Sequence, residues 1–313
     1  MFTRKQNAVL WIAILILVFL LTGCGGSPAG SSPTTGSPPE PNKPSAALEA
    51  GQSETSGNGN GNEESRPVPV ISVPAAQAGE TTAGRVYKDT SGRAKYVYLT
   101  FDDGPNTFFT GQILDILAKR QVKASFMVVG VNAEKNPGLI KRIAAEGHAV
   151  INHTYTHNYR KIYSSPDALI ADLDRASLVL ENILGRPVKI FRPPGGPGNL
   201  TKKFYQKLKE KGYQSVGWNV VGADSDPKGV TPEQVYENVA RGLAKVEKMR
   251  LTPIVLLHDG TQVESIEAAP GSPLGKYIQN RKSVVAALPK IIDLLESKGY
   301  TFAPVDEHTP PPW

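Results

Sequence analysis

Tyr96-Val97-Tyr98-Leu99-Thr100-Phe101-Asp102-Asp103-Gly104-Pro105 is the stretch whose reading decides the architecture of this 313-residue chain. An apolar run of this length reads as a buried strand, and it stops in two adjacent carboxylates followed by a Gly-Pro turn. Such an ending delivers acid groups to the mouth of a sheet, where loops build sites on a rigid frame. Neighbours on an extended backbone point to opposite sides, so Asp102 and Asp103 can do different work. One can hold a metal while the other acts on a bound water.

Working outward, residues 111–120 carry apolar side chains at helical spacing and 124–129 read as a second buried strand. The alternation then continues. Helices are expected at 138–146, 166–184, 201–211, 232–248 and 282–298, and short strands at 149–151, 188–191, 215–218, 253–257 and 300–302. Ser165-Pro166 and Thr231-Pro232 each place a candidate N-cap before a proline at the first helical position. Gly147, Gly185, Gly212 and Gly299 follow their helices as terminating residues. Ile183, Leu184, Tyr205 and Leu208 read as core or helix-packing positions. Strands alternating with helices argue for a parallel α/β architecture, an open sheet or a closed barrel, between which periodicity does not choose.

Two further clusters carry chemistry. Asn152-His153-Thr154-Tyr155-Thr156-His157 holds two imidazoles four residues apart, and Leu256-Leu257-His258-Asp259 is another apolar strand ending in a polar pair. Three of the five histidines lie in these places. Asp103, His153 and His157 make a one-carboxylate, two-histidine set that suits zinc and leaves room for a water or a substrate oxygen. His148 and His308 read as structural or surface residues.

Thr100 to Pro105, His153 to His157, Arg192-Pro193-Pro194-Gly195-Gly196 and Leu256 to Asp259, in that order, resemble the motifs of the polysaccharide deacetylase family, also called the NodB-homology family or carbohydrate esterase family 4. The resemblance implies an irregular (β/α) barrel of seven or eight strands with its site at the strands' C-terminal ends. It implies Asp103, His153 and His157 as ligands of Zn2+, with Co2+ or Ni2+ tolerated. Asp102 becomes the general base that activates the bound water, with Arg192 as its ion-pair partner. Gly195, standing where the family usually has tyrosine, keeps a backbone N–H for the oxyanion but removes a ring that walls the sugar groove. His258 is the acid that protonates the leaving amine, and Leu256 lines the pocket for the acetyl methyl. Asp224 aligns with the aspartate that orients this histidine, with Asp226 as fallback, and Ser225 stands where a tryptophan would complete the pocket.

The first quarter of the chain has another character. Arg4 and Lys5 precede an uncharged apolar run from Ala8 to Thr22, of the length of a signal peptide rather than a membrane span. Its ending, Leu21-Thr22-Gly23-Cys24, resembles a bacterial lipobox. Residues 1–23 are therefore expected to be a lipoprotein signal peptide and Cys24 the lipidated anchor in the cell membrane, the alternatives being a secreted or signal-anchored protein. Cys24 is the only cysteine, so no intramolecular disulfide can form. Residues 24–85 are rich in Pro, Gly and Ser and read as a disordered linker, 86–305 as the deacetylase domain and 306–313 as a loose tail.

Charge follows the same boundaries: the net +6 comprises +2 before Cys24, −4 over 25–84 and about +8 beyond. A basic domain favours anionic partners. No Arg/Lys stripe interleaved with aromatics points to nucleic acid, and anionic cell wall is the more natural partner. The expected function is metal-dependent removal of N-acetyl groups from cell-wall glycan, the N-acetylglucosamine or N-acetylmuramic acid of peptidoglycan, with release of acetate. Chitin oligomers, an exopolysaccharide or O-acetylated xylan are alternative substrates. A non-catalytic glycan-binding wall module is the rival from another class, and no protein partner is evident.

Overall fold

The structure, a computed structural model, describes residues 94–260 and 267–312, which belong to the compact unit Pro74–Trp313. The expected signal peptide, lipidated Cys24 and linker lie outside the described residues, and no helix among the described ones is long and apolar enough to cross a membrane.

Eight parallel strands form one curled sheet: β1 (Tyr96–Asp102), β2 (Ser125–Val128), β3 (Ala149–Asn152), β4 (Ile190–Phe191), β5 (Gln214–Ser215), β6 (Val220–Val221), β7 (Ile254–His258) and β8 (Thr301–Phe302). Their order is β5-β4-β3-β2-β1-β7-β6, with β8 on the first residues of β1. No pairing joins β5 to β6 among the described residues, so the barrel is irregular and open there. β1 is buried over its last six residues because it stands between β2 and β7. This is why it reads as continuously apolar rather than alternating.

The connections are helices: α1 (Thr110–Arg120), α2 (Gly130–Lys135), α3 (Pro137–Ala145), α4 (Tyr159–Ile162), α5 (Pro166–Leu184), α6 (Lys202–Glu210), α7 (Pro232–Lys248) and α8 (Pro273–Ser297). Ser165 accepts from the Ala168 N–H at the start of α5, and Thr231 with Gln234 closes a reciprocal capping box on α7. The four terminating glycines all have positive φ, from 69° to 79°. Val97, Leu99 and Phe101 of β1 meet Phe126 and Val128 of β2, Val255 and Leu257 of β7, and the inner faces of α1, α7 and α8 in the main core.

Several details depart from the expectations above. α8 begins at Pro273, not at Lys282, because Ser272-Pro273 repeats the capping device of α5 and α7, with Ser272 Oγ accepting from the Gly275 N–H at 3.0 Å. The short β6 follows from pairing with β7 rather than from any pattern of its own. Tyr205 is 42% exposed, since Phe204 and Leu208 take the inward stripe of α6 and Tyr205 is turned about 100° from Phe204. Ile183 and Leu184 are partly buried against the core. The expected loose tail is held over residues 306–312: Asn219 Nδ2 donates to the Pro312 carbonyl at 2.9 Å and Gln214 Nε2 to that of Glu307 at 3.1 Å, with Pro312 buried. His148 is structural. Its Nδ1 accepts from the Ala124 N–H, and burial pushes its pKa down to about 4.

Candidate active site

Parallel pairing brings the C-terminal ends of all strands to one rim, and the register sets Asp102 of β1 directly beside His258 of β7. Asp102 Oδ1 accepts from Arg192 Nη1 at 2.7 Å. The same guanidinium, fully buried, also donates to Thr100 Oγ1 at 2.7 Å and to the Gly217 carbonyl at 2.9 Å. A charged group so far from water persists because its contacts through Nη1 and Nη2 are charge-assisted, while Nε meets no acceptor among the described residues. Asp103 leaves the strand with φ of 74°, a left-handed conformation that aspartate tolerates better than most residues. Both carboxylates reach His153 Nε2, Asp103 Oδ1 at 3.5 Å and Asp102 Oδ2 at 3.7 Å. Asp102 keeps its other oxygen on Arg192, and Asp103 Oδ1 also meets His157 Nε2.

The histidines stand on the loop after β3, which Asn152 and Asp172 pin in place. Asn152 Oδ1 accepts from the Thr154 N–H at 2.7 Å, and Asp172 accepts from the backbone N–H groups of Tyr155 and Thr156. His153 Nδ1 lies 2.8 Å from the Arg192 carbonyl, an acceptor only, so Nδ1 carries a proton and Nε2 is the nitrogen turned toward Asp103. Nε2 of His153 and of His157 lie 3.5 and 3.3 Å from Asp103 Oδ1. The three ligand atoms are all within 4.8 Å of one another. Burial holds His157 below the ordinary histidine range, which favours the neutral form a metal requires. Burial acts to raise the Asp103 pKa, but the surrounding imidazoles outweigh it and hold the carboxyl well below its usual range. Two imidazole nitrogens, one on a ring oriented by the Arg192 carbonyl, and a carboxylate fit a divalent cation such as zinc.

On the opposite side His258 Nδ1 is 3.1 Å from Asp224 Oδ1, and the His258 N–H donates to Asp224 Oδ2 at 2.9 Å. Burial lowers the imidazole's pKa, yet the Asp224 carboxylate outweighs it and carries the group up to about 9. Asp226, the fallback, instead accepts from the Lys228 N–H. Sequence reading missed the group behind this pair. Arg281 of α8 is 1% exposed; its Nε donates to the Gly260 carbonyl at 2.6 Å and its Nη1 to the Asp224 carbonyl at 2.9 Å. Nη1 also lies 3.5 Å from Asp224 Oδ2, and Nη2 lies 3.8 Å from Asp103 Oδ2. No motif announces Arg281, because its role comes from tertiary placement on a helix otherwise read as scaffolding.

The remaining residues line the opening. Leu256 and His258 project to the same side of β7, and Leu256 is partly exposed there. Gly195, at φ of 70°, donates its N–H to no acceptor among the described residues. The carbonyl of the same peptide unit, that of Pro194, accepts from Tyr163 Oη at 2.6 Å and Asn199 Nδ2 at 3.2 Å, which fixes the direction of the N–H. A Cβ on Gly195 would stand 2.7 Å from Tyr159 Cε1, and one on Gly196 2.8 Å from the Trp218 ring. Two rings therefore bracket the glycine pair, and Tyr159, 46% exposed, packs its edge against His157. Ser225 is exposed.

A family model described as polysaccharide deacetylase matches residues 89–216. A peptidoglycan-N-acetylglucosamine deacetylase of Bacillus cereus is 32% identical over 224 residues, 72% of this chain and 92% of that protein. A chitooligosaccharide deacetylase of Sinorhizobium fredii is 33% identical over 207 residues, 66% of this chain and 88% of that protein. Among solved structures, a polysaccharide deacetylase from Bacillus cereus superposes with a TM-score of 0.57 at 28% identity, covering 69% of this chain and 96% of that one.

Proposed function

The chain belongs to the polysaccharide deacetylase family, and from that premise we propose that it hydrolyses the N-acetyl groups of peptidoglycan N-acetylglucosamine with a divalent metal, zinc in the first instance, held by Asp103, His153 and His157. The observation that carries this reading is the arrangement at the rim, where the two-histidine, one-carboxylate cluster is flanked by the Asp102–Arg192 pair and the His258–Asp224 pair. A bound cation would supply Lewis acidity toward the acetyl carbonyl and the attacking water. Asp102, locked by Arg192, takes the proton of that water. The Gly195 N–H, aimed by its tethered peptide plane, donates to the oxygen on which negative charge develops. His258, kept protonated by Asp224, gives its proton to the departing sugar amine as the C–N bond breaks. Leu256 closes on the acetyl methyl and disfavours longer acyl groups.

Residues 1–24 support a lipoprotein tethered outside the membrane, with 24–85 as its spacer. The test is to incubate the full-length, zinc-loaded chain with peptidoglycan, N-acetylglucosamine oligomers and O-acetylated xylan. Acetate and a matching number of free amines on the peptidoglycan sugar are expected. Acetate from xylan alone, or from no substrate, contradicts the proposal.

A further inference from the structure

The inward stripe of α8 is apolar at Ile278, Val284, Ala287 and Leu288, yet Asn280, Arg281 and Ser283 are buried among these residues. Buried polar groups need partners, and those of Asn280 and Ser283 are close at hand. Asn280 Nδ2 donates to the Asp226 carbonyl at 2.9 Å and Ser283 Oγ to the Val230 carbonyl at 2.7 Å, both in the segment that joins β6 to α7. Arg281 reaches further, to the rim. Its Nε and Nη1 donate to the carbonyls of Gly260 and Asp224. The Gly260 N–H in turn donates to the Asp102 carbonyl at 3.2 Å. One guanidinium thus ties together the segments that leave β1, β6 and β7. Its Nη2 is buried and hydrogen-bonds no group among the described residues, and it lies 3.8 Å from Asp103 Oδ2.

The two oxygens of Asp103 therefore meet different groups. Oδ1 is shared by Nε2 of His153 and Nε2 of His157, and Oδ2 faces Arg281. Asp224 is held in the same manner, with His258 Nδ1 3.1 Å from Oδ1 and Arg281 Nη1 3.5 Å from Oδ2. Carboxylates gathered at one buried rim repel one another, and a buried charge persists only where a counter-charge meets it. Burial works against an ionised Asp224, and His258 followed by Arg281 holds its pKa below the usual range. We propose that Arg281 is a positioning residue for both halves of the reaction: it keeps Asp103 a ligand through Oδ1 alone and fixes Asp224 behind His258. This inference rests on the deacetylase reading and deepens it. The groups bonded to a ligand's remaining atoms orient that ligand and tune its affinity for the metal. An Asp103 whose second oxygen is matched to a guanidinium offers one oxygen to the cation and leaves room for water and the acetyl oxygen. The same guanidinium keeps Asp224 from turning, so the His258 ring keeps its orientation. A lysine would supply the charge but not the rigid fork that spans Gly260 and Asp224.

The test compares the full-length wild-type chain with Arg281→Met, Arg281→Lys and Ser283→Ala. Zinc affinity is read by competition with a chelator, kcat and KM on soluble peptidoglycan fragments at saturating zinc, and folding by circular dichroism. Arg281→Met is expected to weaken zinc binding roughly 10- to 100-fold and to lower kcat by a similar factor, with KM unchanged. Arg281→Lys should bind zinc nearly as the wild type does while its kcat stays about tenfold down, since the charge is restored and the fork is not. Ser283→Ala removes a buried hydrogen bond of the same helix that does not reach the rim, and should lower stability with zinc affinity and kcat unchanged. Unchanged zinc affinity in Arg281→Met, or an equal loss in Ser283→Ala, overturns the proposal. If Arg281→Met does not fold, Arg281→Lys decides: full kcat, or lost zinc in a folded protein, overturns it. Zinc competition needs no turnover. Arg281-dependent zinc binding by a wild type that releases no acetate would sink the deacetylase reading alone. Acetate release by a wild type whose zinc affinity is indifferent to Arg281 would sink this inference alone.

Discussion

Asp102 and Asp103 are adjacent in sequence and distinct in role: Arg192 holds one oxygen of Asp102, whereas Asp103 Oδ1 is shared by His153 and His157. Asp102→Asn keeps the shape and the Arg192 contact but removes the base. We expect kcat to fall roughly 100- to 10,000-fold while zinc stoichiometry stays unchanged, which metal analysis beside the acetate assay would check. His258 makes a pH prediction. With its pKa raised to about 9, the proton needed by the leaving amine is present below that value and lost above it. The alkaline limb of kcat should therefore lie above the ordinary histidine value. Asp224→Asn removes the group that raises it, so the limb should move down toward the ordinary histidine value of about 6.5; an unmoved limb would assign it to another group. The Asp–Asp, His-x-x-x-His and Leu-Leu-His patterns made most of these residues legible, since each lies within a few residues of a strand end. Arg281 was not legible, because only folding brings α8 to Asp224 and Asp103.

The elements show which parts of the site depend on backbone shape. Gly260 follows His258 by two residues, and a Cβ there would stand 1.9 Å from the Asp103 carbonyl carbon. Gly260→Ala should displace the Asp103 turn and weaken zinc binding at least tenfold by competition with a chelator, although no ligand is changed. Thr231→Ala breaks the capping box of α7 far from any ligand, and should cost about 1 kcal/mol of stability in chemical denaturation with the affinity for zinc intact. Helices α5 and α7 were readable to the residue because proline and a hydroxyl cap mark their starts. The same signal at Ser272-Pro273 was obscured by Gly275 and Asn280, both poor helix formers, in the first turns of α8. β4, β5 and β6 have two residues each, too few for any period to show; the sheet's pairing defines them.

At the scale of the whole molecule the chain divides, by composition, into an apolar leader, a spacer and a basic domain. The parallel alternation was legible throughout 96–302, but whether the sheet closes was not, since closure depends on the unpaired edge between β5 and β6. If Cys24 carries the lipid anchor, Cys24→Ser should move the protein from the membrane fraction to the soluble extracytoplasmic fraction without altering its specific activity. The account's central claim is that one cation held by Asp103, His153 and His157 makes this domain a glycan deacetylase. Its most direct measurement is acetate release from peptidoglycan by the full-length chain, chelated and then given back one equivalent of zinc. The account predicts that activity disappears on chelation and returns with that single equivalent, and that His157→Ala neither binds the zinc nor recovers. Undiminished acetate release by the metal-free protein would contradict it.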